Sequence, residues 1–245
     1  MIPLVPSPTH VAALHGLGVP PDRLEGLSAA LRLPPWQPGS PAGEGFGPSV
    51  LLLVGDADAV EAPDFWQRPY GAWIEVAGLT DAQIADAAGR ATRADLFACV
   101  TTATANRLHL AGRILNALAA LHPMPDAQRD DMELALHEAI SNAVVHGNLQ
   151  VEGMKGLSVE ALERFSHDLA ARMADPTFAG RRIEVAVWVE SAAVVVEVAD
   201  EGTGFARPER IDYGASGRGL DLIAAIVEEL QLLDGGRRIR MRFPL

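Results

Sequence analysis

Glu133-Leu-Ala-Leu-His-Glu-Ala-Ile-Ser-Asn-Ala-Val-Val-His-Gly-Asn148 decides how the rest of the chain is read. Met132, Leu136, Ala139, Ile140, Ala143 and Val144 recur at three- and four-residue spacing. That spacing puts them on one apolar stripe and predicts a helix over Asp126–His146, stopped by Gly147. Glu138 and Asn142 stand one turn apart on a shared face beside this stripe. An amide oxygen is a hard ligand that suits Mg²⁺, and a nearby carboxylate can act as a general base. By itself, the pair also fits the solvated edge of an ordinary helix.

Two segments further on carry related chemistry. Asp200-Glu-Gly-Thr-Gly-Phe205 follows an alternating apolar run that ends at Ala199. A carboxylate at a strand end can accept from an exocyclic amine such as adenine N6. Gly202 and Gly204 let backbone pass close to a ring or a phosphate. A plain turn fits the same letters, while a calcium loop would need a longer series of oxygen side chains. Gly217-Arg-Gly-Leu220 opens a helical stretch. Free N–H groups at such a start favour phosphate, and Arg218 could add charge-assisted bonds; a glycine-rich helix entry without a ligand reads the same way.

The order of the three segments is more specific than any one of them. It resembles the N, G1 and G2 boxes of the GHKL (Bergerat-fold) ATPase superfamily, and within it the small anti-sigma-factor serine/threonine kinases of bacteria. The similarity covers roughly residues 95–245. It implies an α+β fold, a two-layer α/β sandwich of the Bergerat type, that binds ATP with Mg²⁺. Carried across, Asn142 is the Mg²⁺ ligand and Glu138 the catalytic base. Asp200 reads adenine, Gly202 and Gly204 shape its pocket, and Gly217, Arg218 and Gly219 lie against the phosphates. His146 and Gly147 match the pattern without an assigned role. The resemblance further implies a STAS-type antagonist as phosphoryl acceptor, a sigma factor as bound partner, and a homodimer. The stretch Ala206–Ser216, where the family places its ATP lid, is short. Residues 150–180 form an insertion with a helix of their own, Ser158–Met173, and Asp221 stands where the family often has an apolar residue.

Working outward, Leu96–Thr102 reads as a strand and Asn106–Leu121 as a helix. Ile183–Val189 and Val194–Val198 alternate and form a hairpin. A helix over Gly219–Glu228 leads to a closing hairpin, Leu230–Leu233 and Arg238–Phe243, turning on Asp234-Gly235-Gly236. Helices should cover one face of a mostly antiparallel sheet. Residues 1–94 read as a separate small α/β domain for input or docking. Its strands are Val11–Leu14, Val50–Val54 and Ala72–Val76, its helices Asp22–Leu33 and Thr80–Thr92, and Pro34–Pro48 is loop. Asp56 and Asp58 follow the second strand, where a receiver-like domain would carry its phosphorylated aspartate; acidic residues also commonly end strands without that role.

Composition closes off other classes. The 245 residues are 49% apolar and 21% charged, enough for a sizeable core. Apolar runs are too short for a membrane span, and Met1–His10 lacks the pattern of a secretory signal. The single cysteine, Cys99, excludes an internal disulfide or a cysteine zinc site, and the expected compartment is the cytoplasm. The net charge of −12 gives no basic surface for nucleic acid. The one lysine, Lys155, is not in a Walker A setting, so a P-loop is excluded. No Gly-x-Ser-x-Gly elbow or His-Glu-x-x-His pair points to a metabolic hydrolase. His109 and His122 lie on or near the Asn106–Leu121 helix, which would suit a histidine-kinase-type catalytic core as a further alternative, but a strand precedes that helix and it resembles the first helix of the serine-kinase pattern. The alternative to a kinase is a non-catalytic signalling scaffold of the same fold, which the short lid favours.

Overall fold

The computed structural model describes residues 11–37, 49–55, 57–154, 156, 158–205 and 218–245, the last without the side chain of Arg218. Asp56, Gly217 and the expected lid Ala206–Ser216 lie outside the described residues.

Eight strands form one sheet in the order β1-β2-β3-β4-β5-β6-β8-β7. Its first part comprises β1 (Val11–Leu17), α1 (Pro21–Leu31), β2 (Ser49–Val54), β3 (Tyr70–Glu75), α2 (Asp81–Ala91) and β4 (Leu96–Thr101). These four strands are parallel and follow in sequential order. A receiver-type doubly wound sheet has the order 2-1-3-4-5, so the described strands do not carry the receiver arrangement. Asp58 lies in a 3₁₀ turn, Ala57–Glu61, ion-paired with Arg107.

The second part comprises α3 (Thr102–Arg107), α4 (Leu110–Leu121), α5 (Asp126–Asn142), α6 (Val159–Ala174), α7 (Pro176–Ala179), β5 (Arg182–Val189), β6 (Ala193–Asp200), α8 (Arg218–Ile226), β7 (Glu229–Leu233) and β8 (Arg238–Pro244). From β4 to β7 every pairing is antiparallel, as the alternation predicted. The two parts share hydrogen bonds across the expected boundary at residues 94 and 95. β4 pairs with β3 at Ala72↔Phe97, Trp73↔Ala98 and Ile74↔Cys99, and with β5 on its other side.

Period-2 alternation assigns each strand residue to one of two faces. One face carries the main core: Leu52, Trp73, Ala98, Val185, Val196 and Met241 meet α4, α5 and α8 along the whole sheet. The opposite face has its apolar cluster toward the β1 side, where Leu51, Leu53, Ile74, Phe97 and Cys99 meet α1 and α2. Toward β7 it turns charged, with Glu197 bridging Arg238 and Arg240, and Arg242 paired with Glu190 and Glu228. Among the described residues, helices therefore back both faces at one end and a single face at the other.

Two expected helices differ in detail. Asn106–Leu121 is broken at His109, whose positive φ of 50° separates α3 from α4. The helix expected over Asp126–His146 is regular only to Asn142; Ala143–Asn148 continues as a π-turn. The Leu149 N–H reaches the Val144 carbonyl, five residues back, at 2.9 Å. π-turns of this kind are frequent at functional sites.

Candidate functional site

The π-turn that continues α5 meets the end of β6 and the loop after it through two glycines. A Cβ on Gly147 would lie 2.5 Å from Asp200 Cγ, and one on Gly202 would lie 2.8 Å from Asp200 Oδ1. Only glycine lets the π-turn rest directly on this carboxylate. The Gly202 N–H donates to Asp200 Oδ1 at 2.7 Å, a short loop bond that orients the carboxylate. Gly204 has φ +83° and packs on the Gly235 carbonyl, seating the loop on the β7–β8 turn; the Phe205 N–H donates to the same oxygen at 3.1 Å.

Asp200 is half-buried, and desolvation pushes its carboxyl above the usual aspartate range. The Gly202 N–H and the charges of Arg237 and Arg181 act in the opposite direction. The result is a poorly hydrated, oriented acceptor at the end of a strand.

A second group lies farther back on α5. Asn142 Nδ2 donates to Glu138 Oε1 at 3.0 Å. This bond fixes the amide and turns Asn142 Oδ1 away from Glu138. Gly219, in the first turn of α8, sits against the same carboxylate, so that a Cβ there would collide with Glu138. The structure thus joins Glu138, Asn142 and Gly219 into one cluster and Gly147, Asp200 and Gly202 into another. Glu138 and Gly147 stand nine positions apart along α5 and its π-turn, which corresponds to roughly 13 Å of helix.

The donor set also fits Mg²⁺. Asn142 presents one hard oxygen, and among the described residues no group of three or more His, Cys, Asp or Glu could form an all-protein cage. Mg²⁺ typically takes one or two protein oxygens and completes its shell with phosphate and water. Arg218 begins α8, but its side chain, like Gly217, lies outside the described residues.

The family model of the histidine kinase-like ATPase domain matches residues 101–243, more than half of the chain. The chain belongs to this family. No curated protein matches it. The match to the histidine kinase-like ATPase domain begins at the last residue of β4 and ends in β8, and so takes in both clusters. It supports ATP binding as the function of the fold. Among the described residues no helix is long and apolar enough to cross a membrane.

Sequence reasoning gave no role to several residues around these clusters. Asn148 is fully buried, Arg182 is 7% exposed, and Arg181 faces Asp200 electrostatically. Arg181 also lies 4.7 Å from the Phe178 ring centroid, and Arg172 lies 4.1 Å from it. Asn148 stands beside the His-Gly pair, and a polar residue so close to an apolar stripe is the one available signal.

Proposed function

We propose that the protein is an ATP-dependent serine/threonine kinase of the anti-sigma-factor type. Its phosphoryl acceptor is a serine on a STAS-type antagonist, and it binds a sigma factor. The observation that supports this reading is that α5 and the π-turn continuing it reach both clusters, a carboxylate–amide pair against the first turn of α8 at one end and an oriented carboxylate after β6 at the other.

In this reading the Asp200 carboxylate accepts from the exocyclic amine of adenine, and Gly147 and Gly202 let the π-turn and the loop close on that carboxylate and hold it in place. The backbone N–H groups at the start of α8 face the phosphates, with Gly219 keeping the helix close. Asn142 Oδ1 would hold Mg²⁺, which would supply neutralisation of phosphate charge. Glu138 takes the proton of the attacking serine hydroxyl, and the Asn142 amide keeps that carboxylate in place. Most of the rate gain comes from positioning, since phosphoryl transfer asks little covalent chemistry of the protein. Residues 1–94 serve as an input or docking part, and the protein acts as a homodimer in the cytoplasm.

The test is transfer of labelled phosphate from ATP to a serine of a purified STAS-type protein, with Glu138→Gln alongside. Labelling by wild type and its loss in the variant support the kinase. ATP binding without transfer to any STAS-type acceptor would favour a signalling scaffold that works through protein contact.

A further inference from the structure

Asn148 is fully buried, and its amide is committed on every side. Nδ2 donates to Thr102 Oγ1 at 2.8 Å and to the Arg182 carbonyl at 2.9 Å. Oδ1 accepts from the Glu201 N–H at 2.7 Å. The partners fix this orientation. Thr102 Oγ1 spends its own hydrogen on the Arg181 carbonyl at 2.9 Å, so toward Asn148 it accepts. The Glu201 N–H can only donate and the Arg182 carbonyl can only accept. A reversed amide would set oxygen against oxygen and N–H against N–H.

The network has a simple register. Gly147 rests on Asp200, and the next residue on each side, Asn148 and Glu201, are hydrogen-bonded to each other. Two further bonds reinforce it: Glu201 Oε2 accepts from the Arg182 N–H at 2.8 Å, and Arg181 Nη1 donates to the Asn148 carbonyl at 2.7 Å. The π-turn, the α3 start, β5 and the loop after β6 are thereby locked around one side chain. A leucine of similar volume could fill the space but would take the side-chain partner from the Arg182 carbonyl on β5 and from the Glu201 N–H after β6.

We propose that Asn148 is a positioning residue of the nucleotide pocket, its amide setting the loop after Asp200 at the height where that carboxylate meets the base. The proposal rests on the reading of Asp200 as the base-recognising group. Asn148 touches no nucleotide itself and acts through Glu201 and the loop.

The experiment uses the full chain and two readouts. Amide hydrogen exchange is measured without ligand on wild type, Asn148→Ala, and a core variant, Ile114→Val. Asn148→Ser replaces alanine if the latter does not fold. Affinities for ATP and inosine triphosphate, which lacks the exocyclic amine, are then compared. The expected result is exchange at residues 201–204 at least about tenfold faster than in Ile114→Val, with β5 and β6 equally protected in both, and an ATP preference reduced by about tenfold. Exchange at 201–204 no faster than in the core variant overturns the proposal, as does an unchanged ATP preference despite a loosened loop. If wild type and Asp200→Ala show the same ATP preference, it is the reading of Asp200 that fails, and the exchange result still decides whether Asn148 positions the loop.

Discussion

The Asp200 carboxylate occupies the space a side chain on Gly147 would need, with Cγ 2.5 Å and both oxygens 2.7 Å from the position of its Cβ. Gly147 is not among the positive-φ glycines, so its requirement comes from this contact and not from backbone conformation. Gly147→Ala should therefore push the carboxylate out of register and leave the helix intact. ATP affinity should fall at least about tenfold, the loss of one hydrogen bond to a charged group. Calorimetric titration together with an unchanged far-ultraviolet circular dichroism spectrum checks this.

Gly219→Ala should act at the other cluster. Its Cβ would collide with the Glu138 carboxylate, the mobile end of a side chain, so Glu138 should move and release Asn142. Phosphoryl transfer should drop by about 10² or more, in the range lost when a general base is misplaced. The preference for ATP over inosine triphosphate should be unchanged, because Asp200 is untouched. A parallel loss of base preference would show that the two clusters are not separate.

The raised pKa of Asp200 has consequences for both stability and binding. In the unfolded chain the carboxyl titrates near 3.8, and in the folded protein it titrates higher, chiefly through desolvation. Between those values the folded state binds more protons. Stability therefore falls as pH rises through the window, and the full cost of the buried charge is present above it. Asp200→Asn should be more stable than wild type at neutral pH, with the gain fading as pH drops toward 3.8. ATP affinity of wild type should decline on acidification at a higher pH than an ordinary aspartate would give, since only the ionised form is a full acceptor. Melting temperatures and titrations across pH 4–8 measure both.

Continuity of the sheet predicts a single unfolding transition. Besides the β3–β4 ladder, the Arg182 guanidinium donates to the carbonyls of Glu75 and Ala77, and Trp188 Nε1–H donates to the Arg93 carbonyl at 2.7 Å. Scanning calorimetry of the full chain should show one peak. Arg182→Leu should lower stability by about 1–3 kcal/mol for each carbonyl left unpaired. Residues 95–245 made alone should melt lower, because β4 becomes an open edge and Phe97 and Cys99 lose α2. Two resolved peaks in the full chain would contradict this.

Much of the fold was legible because its periodicities are local. The β5–β6 hairpin and the closing β7–β8 hairpin follow from alternation and turn residues, and α5 from its apolar stripe. What joins the halves was not legible. Phe97, Ala98 and Cys99 look the same in sequence whether β4 is an edge strand or sits between β3 and β5. The π-turn was hidden as well, since Ala143–Val145 keep helical spacing while the hydrogen bonds shift by one residue. Within the site, Glu138, Asn142 and Asp200 could be named from chemistry and order. Asn148 and Arg182 could not, because their partners lie 53 and 107 residues away in the chain, at Glu201 and Glu75.

The central claim is that α5 and the strand-end loop form one nucleotide site, and Mg²⁺-dependent ATP binding tests it most directly. Calorimetric titration of wild type, Asn142→Ala and Asp200→Ala should show binding in wild type. Magnesium dependence should vanish in Asn142→Ala, and affinity should collapse in Asp200→Ala. Wild type that binds no ATP at millimolar concentration, or an Asp200→Ala variant that binds as tightly as wild type, would contradict the account.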